Sequence, residues 1–159
     1  MSRAHNTIVL IGCNRHKEQE AAVACLPGMH VELTADQDER GRPKCQPTTG
    51  TTADALKAGI RIVKEDGLQG HSIFGSGYQG TTFNVGDPVF TYQPTNGDEI
   101  NLLVKDGEQI EANDYLVPEG GGTGLWIKAT GAETRFPFRA LESLTPTGEN
   151  DFIACEYQG

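Results

Sequence analysis

The chain has 159 residues, 20 of them glycine, 36% apolar residues and a formal charge of −9. A chain of this length forms one domain and buries about 70% of the surface that its unfolded form exposes. Glycine above and apolar content below the globular average favour many short strands and tight turns over helices. The acidic balance, without a Lys/Arg cluster, argues against nucleic acid or an anionic membrane as partner, and no apolar run approaches transmembrane length.

Residues 1–6 are polar and read as an arm, and residues 7–12 read as a first strand. The run Leu10-Ile11-Gly12-Cys13 matches the pattern before a lipidated cysteine, but its apolar stretch is too short for a signal-peptide core. Residues 14–26 have some helical propensity that Pro27-Gly28 cuts off, so an extended segment is expected there. Alternation at Met29, Val31 and Leu33 points these three inward on a strand, and the charged loop 36–43 turns at Gly41. A hairpin of 29–33 with 44–46 follows.

Residues 53–57 allow at most one helical turn, 60–63 form a strand, and 72–80 make a glycine-punctuated loop. The stretch 86–117 reads as a compact β-meander. Its first hairpin joins Val89-Phe90-Thr91-Tyr92-Gln93 to the period-two set Ile100, Leu102 and Val104 through an Asn96-Gly97 turn, and Asp106-Gly107 turns next. Three further strands are expected at 125–129, 136–141 and 152–157. A weak internal echo places a turn pair before a strand start at Pro27-Gly28, Val85-Gly86 and Ala112-Asn113. The fold class is therefore all-β, a compact barrel or sandwich with short strands, long loops and an N-terminal arm. Residues 1–19 form the arm and first strand, and 20–159 the β-rich domain.

Candidate chemistry does not assemble. Gly75-Ser76-Gly77-Tyr78-Gln79-Gly80 matches a dinucleotide fingerprint literally, yet the β-prone segment after it lacks the helix whose N-terminus would face the phosphates. Cys13 and His16 stand at ligand spacing without a second pair, and His30, His71, Cys25 and Cys45 are scattered singles. Gly70-His71-Ser72 lacks the second glycine of a nucleophile elbow. Lys105 sits at a turn without the flanks of a biotinylated or lipoylated lysine. Trp126, Phe136 and Phe138 suit core packing better than an interface. The four widely spaced cysteines, Cys13, Cys25, Cys45 and Cys155, read as free thiols. No catalytic, cofactor-binding or metal-binding residue is assigned, and the chain is not expected to be an enzyme.

The order of the short motifs carries more than any one of them. Pro27-Gly28-Met29-His30-Val31-Glu32-Leu33 comes first, then Arg61-Ile62-Val63-Lys64-Glu65-Asp66-Gly67-Leu68-Gln69-Gly70. Next come Val85-Gly86-Asp87-Pro88-Val89, Asn96-Gly97-Asp98-Glu99-Ile100, Glu108-Gln109-Ile110 and Asp114-Tyr115-Leu116. Arg139-Ala140-Leu141-Glu142-Ser143 and Phe152-Ile153-Ala154-Cys155-Glu156-Tyr157 close the series. In this order, from residue 20 onward, the chain resembles the capsid decoration, or cement, proteins of tailed bacteriophages. It departs from them at Asn113, where glycine is usual before Asp114, and over 129–135.

The resemblance implies a β-rich virion protein, made in the host cytoplasm, that binds the outer face of the icosahedral head and reinforces contacts between major capsid proteins. It implies a homo-oligomer, a trimer before a dimer. Residues 1–12 could bridge neighbours, with 7–12 adding a strand to an adjacent sheet. The alternatives are another virion component, such as a head fibre or tail protein, or a biotinyl/lipoyl-like carrier domain.

Overall fold

A computed structural model describes residues 8–12, 17–64 and 82–159. Eleven strands and one helix are found among them: β1 (Val9–Ile11), β2 (Lys17–Glu20), β3 (Val31–Gln37), β4 (Pro43–Pro47), α1 (Thr52–Ala58), β5 (Ile62–Val63), β6 (Pro88–Tyr92), β7 (Glu99–Val104), β8 (Tyr115–Pro118), β9 (Trp126–Lys128), β10 (Phe138–Ala140) and β11 (Asp151–Tyr157). The all-β expectation holds.

Five strands close on themselves in the order β7-β11-β10-β8-β9, with the parallel contact Val104–Trp126 between β7 and β9 completing the barrel. The longest ladder joins β11 to β7 antiparallel, from Asp151 opposite Val104 to Glu156 opposite Glu99. Closure leaves these five strands no open edge, which removes the commonest route to strand-mediated aggregation. Trp126, Phe138, Leu116, Ile100, Leu102 and Ile153 fill the interior, each 2% exposed or less. Ile100, Leu102 and Val104 all join this core, as their period-two spacing predicts.

β1 extends the first sheet by pairing with β7, and the remaining five strands form a second ring. β2 pairs with β6 and β6 with β5, all antiparallel, and β3 and β4 form the expected hairpin. Two isolated bridges join these pieces, Ala21 to Cys45 and His30 to Ile62. The ring encloses its own apolar cluster of Ala21, Cys25, Val31, Cys45, Val63, Phe83 and Val89. β5 serves both cores, because successive side chains point to opposite faces: Ile62 enters the barrel cluster and Val63 the ring cluster.

Three expectations need correction. The hairpin of 89–93 with 100–104 does not form, and 86–117 is no meander. The Asn96-Gly97 turn is present, but β6 pairs with β2 and β5 while β7 pairs with β1, β11 and β9. A local turn brings two strands near each other, whereas the partner each takes is set by which face finds a core. Leu33, expected inward, is 42% exposed; it is the last residue of the regular β3–β4 register, opposite Cys45, before that register shifts toward Gln37. The single helical turn is longer than expected. α1 has seven residues and a capping box, with Asp54 N–H donating to Thr51 Oγ1 at 3.3 Å and Thr51 N–H donating to Asp54 Oδ2 at 2.9 Å. Leu56 on α1 is buried in the barrel cluster.

The segment expected to be extended before Pro27 contains β2, and the strand expected at 7–12 is β1. β1 pairs with β7 of its own chain, Val9 opposite Ile100, and forms the edge of the six-stranded sheet. Residues 1–6 lie outside the described residues.

The echo has a common physical basis. Five turns, at 26–29, 84–87, 95–98, 105–108 and 111–114, each close with the N–H of the fourth residue donating to the carbonyl of the first, at 3.0 to 3.4 Å. The third residue of each has positive φ: Gly28 at 84°, Gly86 at 90°, Gly97 at 89°, Gly107 at 90° and Asn113 at 77°. That backbone state belongs to glycine and is tolerated by asparagine, so Asn113 can hold a turn position that glycine fills in the other four. In three of the turns the fourth residue is aspartate, and its carboxylate accepts the N–H of the first residue: Asn84 to Asp87, Thr95 to Asp98 and Glu111 to Asp114, at 2.8 to 2.9 Å. At 26–29 the Met29 sulfur takes that role, accepting from Leu26 N–H at 3.3 Å.

Candidate functional site

Two small cores that share strands must be locked together before the surface can act as one rigid body. Gly28 is at the lock. Its carbonyl accepts from Leu103 N–H of β7 at 3.2 Å and from the buried Trp126 Nε1 at 3.0 Å, and its own N–H donates to Val63 O of β5 at 2.8 Å. A side chain would not fit: a Cβ there would lie 2.8 Å from Phe152 Cε1 and 2.9 Å from Leu103 N.

His30 lies two residues on, fully buried. Its Nε2 is 3.2 Å from Gly59 O and its Nδ1 2.6 Å from Thr48 Oγ1. A carbonyl only accepts, so Nε2 carries the proton of the neutral ring and Nδ1 accepts from the Thr48 hydroxyl. Burial lowers the His30 pKa to about 4, outweighing the Gly59 hydrogen bond and the nearby Glu32 charge that act upward. Trp126 meets the ring edge-on at 5.6 Å. His30 is a satisfied structural residue, as expected of a scattered single histidine.

The other candidates are placed as follows. Cys25, Cys45 and Cys155 are free and buried. Burial pushes the Cys25 thiol up to about 12 and the Cys45 thiol up to about 11, and raises Cys155 well above the ordinary range. Such thiols are not nucleophiles. Lys105 Nζ is ion-paired with Glu119, and its turn is not the tip of a paired hairpin. Trp126 and Phe138 are core residues, with ring centroids 5.1 Å apart. Phe136 is half-buried and packs on Tyr115 at 5.3 Å. Cys13, His16, Gly70-His71-Ser72 and the glycines at 75–80 lie outside the described residues. Among the described residues no group of three His, Cys, Asp or Glu side chains could hold a metal, and no helix is long and apolar enough to cross a membrane.

Among the exposed side chains of the described residues are a few large apolar ones at separate places. Ile11 is 57% and Val85 70% exposed, and Val23, Leu33 and Tyr115 are also exposed. Val85 and Val23 belong to adjoining segments, since Gly86 N–H donates to Ala21 O and Cys25 and Phe83 form a bridge. A cleft of about 290 Å³ opens beside Tyr115, Phe136 and Ala129. Another, of about 210 Å³, lies between β3 and the C-terminus of α1, lined by Leu33, Ala58, Gly59, Arg61 and Gln93. Sequence reading missed this second cleft, because its residues come from three distant segments.

No protein-family model and no curated protein matches this chain.

Proposed function

We propose that this protein is a phage capsid decoration protein, which binds the outer surface of the icosahedral head and stabilises contacts between major capsid proteins. The observation that carries the reading is the series of short motifs shared in order with decoration proteins. Gly28, Gly86, Gly97 and Asn113, from that series or directly beside it, are the positive-φ residues of strand-approach turns. Gly28, Gly86 and Gly97 are shared with the decoration proteins and Asn113 is the departure, so the shared glycines have a backbone role in the turns. The net charge of −9 suits the outside of a shell better than its DNA-filled interior.

In this reading the locked pair of cores is a rigid spacer, and the exposed apolar residues and clefts seat on the capsid lattice. A rigid binder loses little conformational entropy on docking, so more of the contact energy appears as affinity. Binding only the assembled shell raises the free energy of disrupting it by mass action. Repetition over many lattice positions multiplies a modest contribution, and a homotrimer at local threefold positions is the preferred arrangement.

The test is co-sedimentation of the purified protein with expanded, undecorated heads of the source phage, scored for copies bound at saturation. A plateau in the hundreds of copies, matched to one class of lattice position, is expected. No binding to heads, with the protein found instead in tails at a few copies per virion, would refute the proposal and favour another virion component.

A further inference from the structure

Several cations have no ion pair among the described residues: the exposed Lys17, Arg40 and Lys57, and the half-buried Arg61 and Arg135. Arg42, Lys44, Lys105, Lys128 and Arg139 each have a carboxylate within ion-pair distance. Arg61 is half-buried at the start of β5 and among the described residues has no carboxylate within that distance. Among the described residues its one side-chain hydrogen bond is from Nη1 to Thr91 Oγ1 at 3.1 Å. The Thr91 hydroxyl donates in turn to Gln19 Oε1 at 2.6 Å, and both residues are buried. This relay orients the guanidinium, while among the described residues most of its five N–H donors have no acceptor.

Arg61 also lines the cleft between β3 and α1. Gly59 leaves part of the wall open, since a Cβ there would meet nothing within 4 Å. Exposed Leu33 adds an apolar surface. Glu32 also lines the cleft, but its Oε1 accepts from Gln46 Nε2 at 3.0 Å, Thr49 N–H at 3.2 Å and Thr49 Oγ1 at 2.9 Å. Desolvation acts upward on the Glu32 carboxyl, yet these bonds hold it below its ordinary pKa. Its charge is therefore already satisfied by donors within the protein. A half-buried, oriented fork whose donors mostly have no acceptor among the described residues, next to an apolar shelf, complements a carboxylate on a short aliphatic stem.

We propose that the Arg61 cleft is a carboxylate-binding site that takes a Glu or Asp side chain of the capsid surface, with the guanidinium as the charge partner and Leu33 against the aliphatic stem. The identity of the partner rests on the decoration reading. The carboxylate chemistry does not.

Two measurements separate them. In the first, the Arg61 Nε–H resonance is followed while butyrate or its neutral analogue butyramide is added to the full-length protein. A saturable shift with butyrate and none with butyramide is expected; no saturable shift, or equal shifts, would overturn the site. In the second, head co-sedimentation compares wild type with Arg61→Gln and Ala58→Glu. The Ala58 substitution places a carboxylate at the cleft while keeping Arg61 and its bond to Thr91, so it avoids any folding defect from loss of the arginine. Both variants are expected to bind heads about tenfold more weakly, the size of one charged hydrogen bond. Wild-type affinity in both would show that the cleft does not face the capsid and overturn that half. A butyrate response in a wild-type protein that fails to bind heads would overturn the decoration reading and leave the carboxylate site standing.

Discussion

The Trp126 indole donates to the Gly28 carbonyl oxygen at 3.0 Å, tying a side chain of the barrel core to the strand approach of the second ring. Gly28 is both a positive-φ turn residue and a point of close contact with Phe152 and Leu103. Gly28→Ala therefore adds left-handed strain and a collision, and is expected to destabilise the protein by about 2–4 kcal/mol in urea unfolding. Gly86→Ala has nearly the same φ with open space around the new Cβ, and should lose only about 1 kcal/mol. Equal losses would mean that the close contact at Gly28 has no energetic weight.

The buried His30 makes stability depend on pH. Its folded pKa, about 4, lies below its ordinary 6.5, so between these values the unfolded chain binds the proton and the folded chain does not. The stabilisation is complete above about pH 6.5 and declines as pH falls to about 4, by an amount on the order of 3 kcal/mol. His30→Gln should flatten the stability profile between pH 4.5 and 6.5. The remaining acid loss below that window belongs to carboxylates held below their ordinary pKa by hydrogen bonds, such as Asp54 at the cap of α1 with its bonds from Thr51.

The aspartate of the strand-approach turns should matter in proportion to its burial. Asp98 is 6% exposed and accepts from Thr95 N–H, Thr95 Oγ1 and the buried Tyr92 hydroxyl. Asp98→Ala strands several donors and is expected to destabilise by about 2–4 kcal/mol. Asp87→Ala, at a half-buried copy of the same turn with one such bond, should lose about 1 kcal/mol. Thermal unfolding of the two variants side by side tests the difference.

Thiol accessibility reports on both cores at once. Cys155 lies in the barrel cluster, and Cys25 and Cys45 in the ring cluster. In a Cys13→Ser background all three should resist a thiol reagent in the native state and react together after denaturation. Early reaction of Cys25 and Cys45 alone would show that the ring opens independently of the barrel.

Features whose cause lies within a few residues were legible in the sequence. The turn pairs at Pro27-Gly28, Val85-Gly86 and Ala112-Asn113 announce themselves because only glycine or asparagine accepts the positive φ that each turn requires. The hairpin of β3 with β4 and the core face of β7 could be read for the same local reason, the two-residue period of a strand. Even α1 carried its signal in Thr51 and Asp54, three residues apart.

Tertiary structure alone decided which strand pairs with which. Nothing near Val89 or Ile100 says that β6 and β7, joined by a good turn, will pair elsewhere; that outcome depends on β2, β5 and β11, which lie far off in the chain. The division into two cores, the lock at Gly28 and Trp126, and the cleft that gathers Leu33, Arg61 and Gln93 have the same origin. A strand's backbone pairs equally well with many partners, and the choice is made by burial summed over the whole chain, which no short window of sequence contains.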